Sequence, residues 1–99
     1  MSGPNKTFAR DQEISWRVIE DEAVLVDRDE GEMLRLNPIA TEIWQAIDGK
    51  RNLTEIADCI CERFDLKPRK AQRDVRRFLT QMLRRDMVQE IATTKREVS

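Results

Sequence analysis

The sequence has no histidine and no tyrosine, three glycines, three prolines and two cysteines, and aromatics make up only 5% of its 99 residues. Each scarcity removes a class of function. Without histidine or tyrosine, acid–base chemistry falls to carboxylates, lysines and thiols, and no carboxylate pair stands out from the general acidic surface. Cys59 and Cys61 do not form a CxxC. At ~100° per helical residue they point to different sides, so neither a mutual disulfide nor a zinc site is expected. Cys61 should sit at the edge of the buried face and Cys59 nearer water. The glycines fall at turns or in the N-terminal stretch, so no phosphate-cradling loop is present. No apolar run approaches the ~20 residues that span a bilayer, and MSGPNKTFARDQE lacks the apolar core of a signal peptide. The chain is therefore expected to be non-catalytic and cytoplasmic, with no cofactor, no metal site and no membrane partner.

What is abundant is charge. Charged residues make up 37% of the chain, yet the formal net charge is only -1. The signs are separated. Residues 1–49 carry eleven acids and five bases, and residues 50–99 carry eight acids and thirteen bases. Two surfaces of opposite potential follow, which either steer a charged partner or attract each other across the fold.

Hydrophobic periodicity divides the chain. Residues 1–12 are polar and read as a flexible tail, and 92–99 as a second one, leaving a single domain over 13–91. Ile14, Trp16 and Val18 alternate with Ser15 and Arg17, a half-buried strand. Glu20-Asp21-Glu22 suits a hairpin turn, and Ala23 to Val26 make a second strand. Asp27 to Gly31 form a charged turn with Gly31 free to take positive φ. Met33 to Leu36 make a third short strand. Asn37 and Pro38 then fit the cap and first turn of a helix whose stripe is Ile39, Ile43, Trp44 and Ile47. Gly49 reads as its C-cap. Asn52 or Thr54 opens a second helix with Leu53, Ile56, Ala57, Ile60 and Phe64 on one side, broken at Asp65 to Pro68. A third runs from near Arg69 to Asp86 on Ala71, Val75, Phe78, Leu79, Met82 and Leu83. Met87 to Ile91 read as a short extended segment. The order β-β-β-α-α-α predicts an α+β fold, a winged helix-turn-helix in which a three-stranded antiparallel sheet is followed by three helices.

Two features could bind a partner. One is the basic third helix with its lead-in, Lys67, Arg69, Lys70, Arg73, Arg76, Arg77, Arg84 and Arg85, which in this context could enter a DNA major groove. The other is the third strand, since the edge of a meander can accept an extended peptide or a second copy of the chain.

The ordered motifs resemble the PqqD-like family, the leader-peptide-binding domains called RiPP recognition elements. They are Leu36-Asn37, Ala40, Ile43-Trp44 and Asp48-Gly49, then Thr54-Glu55-Ile56 and Phe64-Asp65, then Asp74-Val75, Phe78-Leu79 and Met82-Leu83. Trp16 and the strand Val24 to Asp27 precede them, so the likeness runs from Ile14 to Ile91. It implies a peptide chaperone that takes the leader of a ribosomally made precursor as an added strand. That strand would lie along Met33, Leu34, Arg35 and Leu36, with Asp74, Arg77, Phe78 and Gln81 as the groove wall. Leu34→Pro would then remove a strand N–H and weaken binding. The implied partners are the precursor peptide and a modifying enzyme, of radical-SAM or cyclase/protease type. Asp29-Glu30-Gly31 stands where proteins of pyrroloquinoline quinone biosynthesis usually have Pro-Glu-Gly, and Trp44 where they tend to have Leu. The chain thus looks nearer the wider group that serves lasso peptides and radical-SAM products. A winged-helix DNA-binding protein is the alternative, disfavoured because the acidic first half would repel phosphates.

Overall fold

The computed structural model describes residues 6–27 and 31–92. In chain order they form β1 (Lys6–Arg10), β2 (Ile14–Ile19), β3 (Glu22–Asp27), β4 (Met33–Arg35), α1 (Pro38–Ala46), β5 (Asp48–Asn52), α2 (Leu53–Phe64), α3 (Pro68–Arg84) and β6 (Val88–Ala92). The fold is α+β, with two three-stranded antiparallel sheets in place of the one expected: β2-β3-β4 and β5-β1-β6.

The first sheet is the meander read from the sequence. Ile19 pairs with Glu22, so Glu20 and Asp21 alone make the turn, and both take positive φ (50° and 70°). A two-residue turn of that hand matches the right-handed twist of the strands it joins. Gly31 has φ 72° as expected; Arg28 to Glu30 of the charged turn lie outside the described residues. Directly paired residues share a face, so Ala23, Leu25, Leu34 and Leu36 point inward with Ile14, Trp16 and Val18. Trp16 and Val18 stand on an edge strand and stay more than a third exposed.

The second sheet corrects two expectations. Residues 6–10, read as part of a tail, are strand β1, paired with β6 on one side and β5 on the other. Phe8 anchors it at 2% exposure, and Thr7 is buried too. Gly49, read as a helix cap, lies in β5 with φ 87°. The helix ends earlier, at Ala46, where Ile47 turns extended (φ -80°, ψ 94°). Asp48 then shapes the turn, since its Oδ1 accepts from the backbone N–H of Lys50 (2.9 Å) and of Arg51 (3.0 Å). Slight burial pushes its carboxyl pKa up, but these bonds and the charge of Arg51 outweigh that and hold it below the usual value.

Helices α1 and α2 start where their caps say. Asn37 Oδ1 accepts from Ala40 N–H (2.8 Å), with Pro38 at the first helical position. Asn52 and Glu55 make a reciprocal capping box at α2, settling the choice between Asn52 and Thr54. Asp65 closes α2 in the left-handed conformation, and α3 stops at Arg84, two residues short of Asp86, which has φ 60°. The stripes Ile43, Trp44, Ile47, then Ile56, Ala57, Ile60, then Ala71, Val75, Phe78, Leu79, Met82 meet the inner face of the first sheet in one core. Cys59, expected nearer water than Cys61, is half-buried like it, and both thiols are free.

One buried polar side chain locks α1 to the sheet. Leu36 N–H bonds Ala23 O, but Ala23 N–H is met by Thr41 Oγ1 (2.8 Å), which donates in turn to Leu36 O (3.3 Å). The hydroxyl is thus inserted into the last rung between β3 and the residue after β4. Thr41→Val keeps the shape and strands the fully buried N–H of Ala23, which should cost about 1–3 kcal/mol. For a domain of this size a fall in melting temperature of roughly 4–8 °C per kcal/mol is expected; an unchanged melting curve would contradict the rung.

Candidate functional site

Strand β4 is bonded on one side only, to β3, and is the edge of its sheet among the described residues. Its hydrogen-bond phase tells which groups remain free. Leu36 N–H bonds Ala23 O, and Asp27 N–H bonds Glu32 O (2.9 Å). Bonded pairs alternate along an antiparallel ladder, so Leu34 also turns its backbone to β3, opposite Leu25. The N–H and C=O groups of Met33 and Arg35 therefore point away from the sheet, two donors and two acceptors set to receive another strand.

The side chains follow the opposite logic. Leu34 is half-buried on the inner face and Leu36 is buried, whereas Met33 is 73% exposed on the outer face. Arg35, also outward, pairs with Glu22 at 3.2 Å. Leu36 lies beyond the strand, and its N–H is already used.

Helix α3 stands near this edge. Arg85, just after the helix, reaches Glu32, just before β4, at 3.9 Å. On the helical wheel Phe78 borders the buried stripe on the flank of Arg85. Asp74 and Gln81 come next and Arg77 after them. Phe78 is core, 7% exposed. Asp74 is half-buried and accepts from Lys70 Nζ of its own helix (3.0 Å), while Gln81 and Arg77 are exposed. Asp74, Phe78 and Gln81 thus share one flank, and Arg77 sits at its outer rim.

Sequence reading missed Arg10. From β1 its guanidinium donates to the carbonyls of Trp44 (3.0 Å) and Gln45 (3.1 Å) at the end of α1 and lies 4.9 Å over the Trp16 ring. Burial lowers its pKa, partly offset by Asp48. Trp16 packs edge-on against Trp44, ring centres 6.0 Å apart. Only the spacing of Arg10 from Trp16 could have hinted at this, and a strand at residues 6–10 had to be known first. Among the described residues, no cluster of histidine, cysteine or acidic side chains could hold a metal ion, and no helix is long and apolar enough to cross a membrane.

Residues 22–88, from the start of β3 to the start of β6, match the family model described as coenzyme PQQ synthesis protein D (PqqD). The chain belongs to the PqqD family. Two solved structures share the fold of this PqqD-family chain. One is TbiB1 in complex with the TbiA(beta) leader peptide, with 21% identity, a TM-score of 0.73, and coverage of 92% of this chain and 99% of that one. The other is lasso peptide synthetase B1 complexed with the leader peptide, with 24% identity, a TM-score of 0.72, and coverage of 83% and 96%. No curated protein matches the chain. The family match leaves out β1, β2 and nearly all of β6; the structural matches extend to most of the chain.

Proposed function

We propose that this PqqD-family chain is a non-catalytic peptide chaperone. It binds the leader segment of a ribosomally made precursor by strand addition and presents it to a modifying enzyme of radical-SAM or cyclase/protease type. The observation that carries the reading is the free edge of β4, where Met33 and Arg35 turn their backbone groups outward beside α3. Two relatives in fold are leader-peptide complexes, which supports the same use here. A strand laid along β4 bonds to Met33 and Arg35. Its inward side chains cover Leu34 and Leu36 and meet α3 at Phe78, with Asp74, Gln81 and Arg77 as the wall. We read the meander and the three helices as a winged-helix arrangement whose wing is a docking edge.

An edge held by the β3 ladder is already ordered, so binding costs little on the protein side. Isothermal titration with precursor peptides encoded beside the gene tests the reading. Dissociation constants below ~100 μM, a binding free energy beyond roughly -5 kcal/mol, are expected for the leader half and not for the core half. Absence of binding to every such leader would sink the proposal.

A further inference from the structure

The cations of α3 are not spread evenly among partners. From Lys67 to Arg85 there are eight bases and one acid, and all eight bases are exposed. The one acid, Asp74, is taken by Lys70, and Arg85 by Glu32. Lys67, Arg69, Arg73, Arg76, Arg77 and Arg84 form no ion pair with a described residue. The acidic first half of the chain therefore does not neutralise this helix; among the described residues only Glu32 reaches across to it.

Position decides what these charges can do. At ~100° per residue, the flank that begins at Phe78 passes Asp74 and Gln81 and ends at Arg77 and Arg84, while Arg69 and Arg76 lie on the opposite flank. The Arg85–Glu32 contact turns the Phe78 flank toward β4. A strand on the outer edge of β4 would therefore rest one row of side chains on the apolar floor of Leu34, Leu36 and Phe78. Arg77 and Arg84, ~100° and ~120° beyond Phe78 on the wheel, stand on the solvent side of that flank without counter-ions among the described residues, and their long side chains can reach back to the outer margin of the row.

We infer that the peptide taken at this edge is acidic, with carboxylates two residues apart along its inward row that reach the Arg77–Arg84 rim. The inference rests on the strand-addition reading above and adds a charge class to it. Opposite charge at the rim raises the encounter rate and selects among strands that the backbone alone would accept equally. Duplex DNA, the other polyanion, would meet Glu22 on Arg35 and Glu32 on Arg85 at the same edge.

Selection from a random 12-residue display library on the full chain at 50 mM salt tests this. Enriched sequences should carry a net charge of about -2 or more negative. A synthetic winner should weaken about tenfold on Arg77→Glu/Arg84→Glu, less than about twofold on Arg69→Glu/Arg76→Glu, and about tenfold between 50 and 300 mM salt. Melting curves establish that both double variants are folded. Neutral winners that lose affinity when Arg35 is replaced by proline would overturn the acidic class and leave the edge reading standing. Equal losses in the two double variants, or displacement of the winner by a 20-base-pair duplex at matching concentration, would also overturn it. Winners indifferent to proline at Met33 and Arg35 would overturn the edge reading itself, and the acidic inference with it.

Discussion

Trp44→Ala is expected to lower the melting temperature of the domain by roughly 12–40 °C. The indole is fully buried in the common apolar core, and its ring lies perpendicular to that of Trp16. Truncating an aromatic of this size in a core costs about 3–5 kcal/mol. A chain of this length has roughly 5–15 kcal/mol in total, so one substitution removes a large share. The loss also reaches β1, because the Arg10 guanidinium lies 6.0 Å from the centre of the Trp44 ring. Trp44→Phe separates packing from hydrogen bonding. The indole Nε1 has no acceptor among the described residues, so phenylalanine forfeits volume but no bond. Circular dichroism should show a melt lowered by roughly 12–40 °C for the alanine variant and by clearly less for phenylalanine. An alanine variant melting within a few degrees of the parent would mean the core is not organised around this side chain.

Much of this was legible because it is local. The Asn37-Pro38 cap, the apolar stripes of α1, α2 and α3, and the Glu20-Asp21 turn are written within a few residues of one another. Spacing alone identified them. The ladder β5-β1-β6 is not local: β1 meets partners some forty and eighty residues away, and its single strong apolar residue, Phe8, gives no period. Gly49 misled for a related reason. A glycine after an apolar helix signals a cap, and only a partner strand, with Ala9 opposite Asp48, shows that positive φ there serves a strand instead. The site was legible to the same depth. That Met33 to Leu36 form an edge could be read from the order of elements. Which of the four offer free backbone groups depends on the phase of the ladder, which is set by the Leu36–Ala23 and Asp27–Glu32 bonds and has no signature in side-chain pattern.

That phase changes the decisive experiment. Leu34→Pro, the substitution suggested by sequence alone, deletes an N–H that faces β3, so it would damage the sheet before it could report on a ligand. Met33→Pro and Arg35→Pro instead delete N–H groups that face outward. Proline is tolerated on an edge strand in that orientation, so both variants are expected to melt close to the parent. Each removes one backbone bond, worth about 0.5–1.5 kcal/mol, and places a ring where the incoming strand must approach. Together they should weaken a bound leader peptide by well over tenfold, where tenfold is about 1.4 kcal/mol. Arg35→Ala controls for the side chain: it loses the Glu22 pair, exposed and therefore worth at most about 1 kcal/mol, but keeps the N–H. If the peptide pairs with β4, titration calorimetry will rank the variants with alanine near the parent and both prolines far below it. If alanine and proline at position 35 weaken binding equally, recognition runs through the arginine side chain and not through an added strand.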